Sequence, residues 1–137
     1  MKKILLLMVL LLTACSSEAM KGYLTVKCVK EDEFNDTKNT NTITIKHKDN
    51  NITNIEISYK FETTNKYTLD SYKQSLISES RKYKNVEIEK NENKSSFELI
   101  YKIDYSNTTN EIKQEFNLEE LESNQVKNLE KQGYSCK

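Results

Sequence analysis

The chain has no proline and no tryptophan, two glycines, one histidine and three cysteines in 137 residues. These shortages close off several kinds of chemistry. With only Gly22 and Gly133 there is no glycine-rich loop to cradle phosphates, which disfavours nucleotide binding. His47 with Cys28 and Cys136 falls short of the four ligands of a structural zinc site, so no metal and no cofactor is expected. Arginine occurs once, at Arg81, and 21 basic side chains are matched by 21 acidic ones. Balanced charge leaves no basic footprint for nucleic acid, so that class of partner is discarded. Scarce Pro, Gly and Arg beside abundant Lys, Asn and Ile is what AT-rich codon usage produces. The lysines therefore carry no functional weight of their own. Asn51-Ile52-Thr53 and Asn107-Thr108-Thr109 likewise read as composition, not as glycan acceptors.

What is present starts at the N-terminus. Lys2 and Lys3 precede the apolar run Ile4 to Leu12, and Leu12-Thr13-Ala14-Cys15 follows the lipobox pattern of a lipoprotein signal peptide. Nine apolar residues are too few to cross a bilayer core, which takes about 20. A positive n-region, a short h-region and a small-residue cleavage site describe a removable leader instead. Small side chains at Thr13 and Ala14 let a membrane peptidase reach the bond before Cys15. The Cys15 thiol then carries a diacylglycerol, and the freed amine is open to acylation. A single acyl chain anchors marginally and two or three anchor stably, at about 0.8 kcal/mol per buried CH₂. A buried N-terminal helix is the competing reading, but nothing after Cys15 continues the apolar pattern. A plain secretory leader cut after Ala14 is the other.

The expected organisation is a signal peptide over residues 1–14, a lipidated N-terminus and polar tether over 15–21, and one domain over 22–137. Loss of the leader takes Lys2 and Lys3 and leaves 123 of the 137 residues, with 19 basic and 21 acidic side chains. That length is enough for one modest core. The expected location is the extracytoplasmic face of a bacterial cell membrane, held by lipid.

Two periodicities run through the mature part. Leu24, Val26 and Cys28 alternate with polar residues, as do Ile43 and Ile45, and then Ile55, Ile57, Tyr59 and Phe61. Asp49-Asn50-Asn51 supplies turn chemistry between the last two runs, which predicts a β-hairpin from Thr42 to Phe61. Leu69, Tyr72, Leu76 and Tyr83 follow helical spacing, predicting a helix from about Leu69 to Tyr83 with Thr68 as N-cap and Asp70 in the first turn. Val86 and Ile88, a turn at Asn91–Lys94, and the alternation Phe97, Leu99, Tyr101, Ile103 and Tyr105 predict a second hairpin over 85–105. Residues 106–117 read as a short strand or a polar loop. Leu118, Leu121, Val126 and Leu129 predict a final helix, with Asn117 and Glu120 as a capping box or Ser123 as the cap, and Gly133 just past its end. Strands in antiparallel runs beside segregated helices define the expected class. It is α+β, an antiparallel twisted sheet of about five strands with two helices packed on one face. The opposite face stays partly wet.

With Cys15 lipidated, Cys28 and Cys136 remain as an even pair outside the cytosol, the pattern of one disulfide. It would tie the first strand to the C-terminal tail; two separate thiols are the alternative. His47 sits on the phase of Ile43 and Ile45 beside a turn. It has the chemistry of a general base, but no nucleophile motif accompanies it, and a structural or solvated histidine explains it as well. Alternation of Glu87 and Glu89 with Val86 and Ile88 places both acids on the wet face of a strand. Eight tyrosines either build the core of a tryptophan-free domain or line a ligand groove, since tyrosine offers an apolar body with a polar tip; core is favoured.

The layout resembles the YehR-like small lipoproteins, bacterial envelope proteins of unknown function. The resemblance rests on the lipobox Leu12–Cys15, the hairpin Thr42–Phe61, the helix Leu69–Tyr83 running into Lys84-Asn85-Val86, and the ending Lys131-Gln132-Gly133-Tyr134-Ser135-Cys136-Lys137. It is similar to Gram-positive members that keep a cysteine near each end. The resemblance implies anchoring and a compact α+β fold, with no active site to transfer. The leading expectation is a monomeric, non-enzymatic envelope lipoprotein. It would meet the membrane through its lipid and bind a protein or small ligand through its sheet or a sheet–helix groove. A cell-envelope hydrolase using His47 and a nearby carboxylate is the alternative. An inhibitory or structural lipoprotein acting through a strand edge is a third reading.

Overall fold

The computed structural model describes residues 22–137; the leader, the lipobox with Cys15 and the tether lie outside the described residues. The order is β1 (Leu24–Phe34), β2 (Thr37–Lys48), β3 (Asn51–Thr63), α1 (Lys66–Ser80), β4 (Glu87–Glu92), β5 (Ser96–Asp104), α2 (Asn110–Glu115), α3 (Glu122–Lys131) and β6 (Ser135–Cys136). One antiparallel sheet runs β4-β5-β3-β2-β1-β6, with helices on one face. The class is therefore α+β. The sheet has six strands where about five were expected, and among the described residues there are three helices instead of two.

Register assigns the faces. Cys28, Ile43, Ile57, Tyr101 and Ile88 form one cross-strand row, and Val26, Ile45, Ile55 and Ile103 the next. These rows lie under the helices and hold much of the core, including the fully enclosed Cys28, Ile45 and Ile55. Each such side chain contributes about 1.5–3 kcal/mol by leaving water. The intervening row Lys27, Thr44, Glu56, Lys102 and Glu87 faces the other way and stays polar.

Turn chemistry fixes that register. Asp49 and Asn50 adopt φ of 50° and 67°, the two left-handed residues of the tight hairpin turn that suits strand twist. A bulge follows: Lys46 pairs with Asn54 but His47 with Ile52. The extra residue, Thr53, donates its hydroxyl to the Lys46 carbonyl at 3.0 Å. The bulge shifts phase by one residue, so Ile52 joins Ile55 under the helices although three positions separate them.

Helix α1 begins earlier than its apolar spacing suggests. Asn65, not Thr68, is the N-cap, its side chain accepting from the Thr68 N–H at 3.1 Å. Asn65 is held for the task because its own N–H donates to the Thr63 hydroxyl. Asp70 consequently lies beyond the first turn. The helix stops at Ser80, and Tyr83 reaches the core from the loop that follows. The second hairpin forms as β4 and β5, its turn centred on Asn93, whose side chain accepts from the N–H groups of Ser95 and Ser96.

Residues 106–117 are neither strand nor purely loop. Thr109 caps the six-residue α2 by accepting from Ile112 N–H, and six residues are too few to display a helical period. For α3 neither expected cap forms. Asn117 sits at φ 51° just past α2, and the N-cap Leu121 makes no side-chain bond. Asn50, in the β2–β3 turn, caps α3 from a distance: its carbonyl accepts from Glu122 N–H and its side chain from Ser123 N–H, both at 2.9 Å. Gly133 follows the helix at φ 91°, where only glycine sits without strain. It turns the chain into β6, too short a strand for any pattern to announce.

Candidate functional site

Among the residues singled out from sequence, Cys28 and Cys136 meet. They are cross-strand neighbours with sulfurs 1.99 Å apart. The adjacent Lys27 and Lys137 exchange two backbone hydrogen bonds of 2.8 and 2.9 Å. That makes the cysteines the closely spaced, non-hydrogen-bonded pair of the ladder. His47 lies elsewhere, 8 % exposed at the end of β2 on the helix-covered face. Its Nδ1 is buried without a partner. Glu87 and Glu89 stand on the open face and both pair with Lys102, at 3.6 and 2.7 Å. Their hydrogen bonding and charge hold Lys102 above the ordinary lysine range and Glu89 below the ordinary carboxylate range.

Tyr59, Tyr72, Tyr83 and Tyr101 form a contact layer between sheet and helices, while Tyr67 is exposed. Tyr72 of α1 stacks on Phe61 at 4.2 Å. Tyr101, central in β5, meets Tyr59, Tyr83 and Phe116 at centroid separations of 6.1, 5.6 and 5.2 Å. Edge-to-face and tilted pairs of this kind add about 0.5–1.5 kcal/mol each to area burial. Burial raises the phenols of Tyr59, Tyr72 and Tyr101 above their ordinary range. Tyr83 is pushed to about 12, first by burial and then by the Glu115 carboxylate that accepts its hydroxyl at 3.3 Å.

Several clefts open among the described residues, including one of about 680 Å³ between α2 and α3; two of them bear on the central strands. The larger of these two, about 580 Å³, lies on the open sheet face between Lys46, Glu56, Glu87, Lys102 and Asp104. Its charges are largely satisfied from within: Lys102 by Glu87 and Glu89, and Asp104 by Ser106 and Asn107. The second, about 160 Å³, lies between the sheet and the α2–α3 layer. Ile43 and Ile57 form its floor, Leu129 and Phe116 its helical side, and Tyr59 and Tyr134 close it. The fully buried Gln125 fixes the adjoining loop, accepting from Glu119 N–H at 2.7 Å. Glu115, Asn117 and Gln132 supply further polar groups. This partly enclosed cleft brings aromatic rings and convergent polar groups together between sheet and helices, features that small-molecule sites share, and we assign the candidate site here. From sequence, core is favoured over a groove for Tyr59 and the other tyrosines. Glu115, Phe116 and Gln125 are not singled out by sequence as site residues, nor is Tyr134 placed with them, because only the folding of α2, α3 and the tail over the sheet brings them together.

No Ser, Thr, Cys, His, Lys or Arg lines the second cleft. Among the described residues no group of three or more His, Cys, Asp or Glu is placed to hold a metal, and no helix is long and apolar enough to cross a membrane.

No protein-family model and no curated protein matches the chain. A solved structure does: the NMR structure of a protein from Streptococcus pneumoniae TIGR4, similar at a TM-score of 0.52 and 15 % identity. The match covers 84 % of this chain and 85 % of that one. At that identity it speaks for the fold alone.

Proposed function

We propose that this chain is a lipid-anchored, monomeric binding protein on the extracytoplasmic face of a bacterial membrane, which takes a small ligand in the sheet–helix cleft without transforming it. The cleft with its three aromatic side chains carries the reading. It offers surface against a ligand and polar groups to orient it, while its one carboxylate, Glu115, has no Ser, Thr, Cys, His or Lys beside it in the lining to form a nucleophile–base pair. The N-terminal pattern of Lys2, Lys3 and Leu12–Cys15 supports the anchor, as does the resemblance to YehR-like lipoproteins. The hydrolase alternative has less support, since His47 lies buried at the end of β2 and is not among the residues lining the cleft.

Two measurements test this. The lipid anchor predicts that globomycin blocks processing, that labelled palmitate enters the chain, and that Cys15→Ser abolishes both; unchanged processing and no label would remove it. For the binding role, the mature lipoprotein in detergent micelles is titrated with a panel of small polar-aromatic fragments and followed by methyl NMR. Shifts should concentrate at Ile43, Ile57 and Leu129. A panel that moves none of these methyls, or turnover of cell-wall or lipid substrates by the purified protein, would overturn the reading.

A further inference from the structure

The chemistry of the cleft wall goes further than its size. Three aromatic rings, Tyr59, Phe116 and Tyr134, line it together with the Glu115 carboxylate, and no basic side chain does. Aromatic faces carry negative quadrupole potential, which attracts a cation most strongly where water is displaced. The carboxylate has the same sign of preference. An anionic ligand would meet these groups with no counter-charge in the lining. The volume, about 160 Å³, suits a compact group; an apolar cavity of about 150 Å³ accepts a benzene-sized guest. Resting on the binding role above, we propose that the ligand is a small organic cation, held by its ammonium group between these rings and Glu115.

Each residue has a separable part. Tyr59 and Phe116 provide aromatic surface that needs no hydrogen bond from the ligand, as a quaternary ammonium requires. Tyr134, hydrogen-bonded to Asn41, is held with its ring against the cleft. Glu115 supplies the charge. It already accepts a hydrogen bond from Tyr83, so its carboxylate is oriented before a ligand arrives. The amide groups of Asn117 and Gln132 line the same cleft and offer carbonyl acceptors suited to the N–H groups of a primary ammonium.

The test uses the mature chain in micelles and an amine-free phosphate buffer, with calorimetry and methyl NMR as readouts. The probes are tetramethylammonium, n-butylammonium and the neutral isostere tert-butanol. Both ammonium probes should bind saturably with shifts at Ile43 and Leu129, and tert-butanol should not. Glu115→Gln, which keeps the shape and the Tyr83 acceptor, should weaken tetramethylammonium about fivefold. Tyr134→Phe keeps the ring but loses the Asn41 hydrogen bond that holds it, and should weaken tetramethylammonium by less than Glu115→Gln does. Phe116→Leu should weaken it more than Tyr134→Phe does; because Phe116 also packs on Tyr101, its fold is checked by the unchanged methyl spectrum. If tert-butanol binds as well as tetramethylammonium, or Glu115→Gln changes nothing, the cation inference is overturned while the binding role stands. If neither ammonium probe binds but other fragments do, the result is the same. If no compound of any kind binds, both fall.

Discussion

Breaking the link between Cys28 and Cys136 is the most informative perturbation of the fold. The bridge spans 108 residues of chain. In the chain-entropy account, closing a loop of that order restricts the unfolded state by about 4.7 kcal/mol, an upper figure in practice. A domain of this kind has roughly 5–15 kcal/mol in total. The loss should therefore be global, lowering the melting temperature by about 10–20 °C. A local consequence follows from the shortness of β6. Without the bridge, that strand is held chiefly by the paired backbone bonds of Lys27 and Lys137, at about 1 kcal/mol net each. Ordering the tail costs about 1–2 kcal/mol per residue. The balance is near zero or unfavourable, so β6 should fray in the reduced protein even while the rest stays folded, and Tyr134 should leave the cleft with it. The assay is a urea titration of the protein with and without a phosphine reductant, and of Cys28→Ala/Cys136→Ala. Amide exchange at Lys27 and Lys137 is read in native buffer. Intact mass with thiol alkylation should count no free thiols at these positions before reduction and two after. An unfolding free energy changed by less than about 1 kcal/mol, with both amides still protected, would refute the entropy argument and the role given to β6.

The tyrosine layer and His47 give two further predictions. Tyr83 is raised to about 12 in the folded chain, against about 10 unfolded; the unfolded state therefore loses its proton first. Stability from this group is complete below pH 10 and is lost as pH rises from 10 through 12. Phenolate absorbance and circular dichroism should change together in that window, and full ionisation of Tyr83 without unfolding would contradict the packing described. His47 Nδ1, buried and unpartnered, carries an unmet hydrogen-bonding need of about 1–3 kcal/mol. His47→Leu should leave the unfolding midpoint unchanged or raise it and leave ligand binding intact; a loss of more than about 2 kcal/mol would mean that the imidazole has a partner in solution.

The legible parts of the sequence share a cause. Alternation at Ile55, Ile57, Tyr59 and Phe61, and at Phe97, Leu99, Tyr101 and Ile103, is set by one buried face and therefore visible in one dimension. The same holds for the Leu69, Tyr72, Leu76 stripe of α1 and for Gly133, whose left-handed backbone follows from its lack of a Cβ. Asn50 shows the opposite case. As a turn residue it is readable, but as the cap of α3, 73 positions away, it is not. Ile52 looks out of phase until the bulge at Thr53 puts it back under the helices.

The candidate site belongs wholly to this second kind. Local pattern determined that the chain is an α+β domain, where its strands turn, and which tyrosines belong to its apolar rows, because backbone propensity and side-chain period act between near neighbours. The cleft was decided only in three dimensions. Its walls come from β2, β3, the loop after α2, α3 and the tail beyond Gly133, and a cavity exists only where the packing of such distant segments leaves room between them.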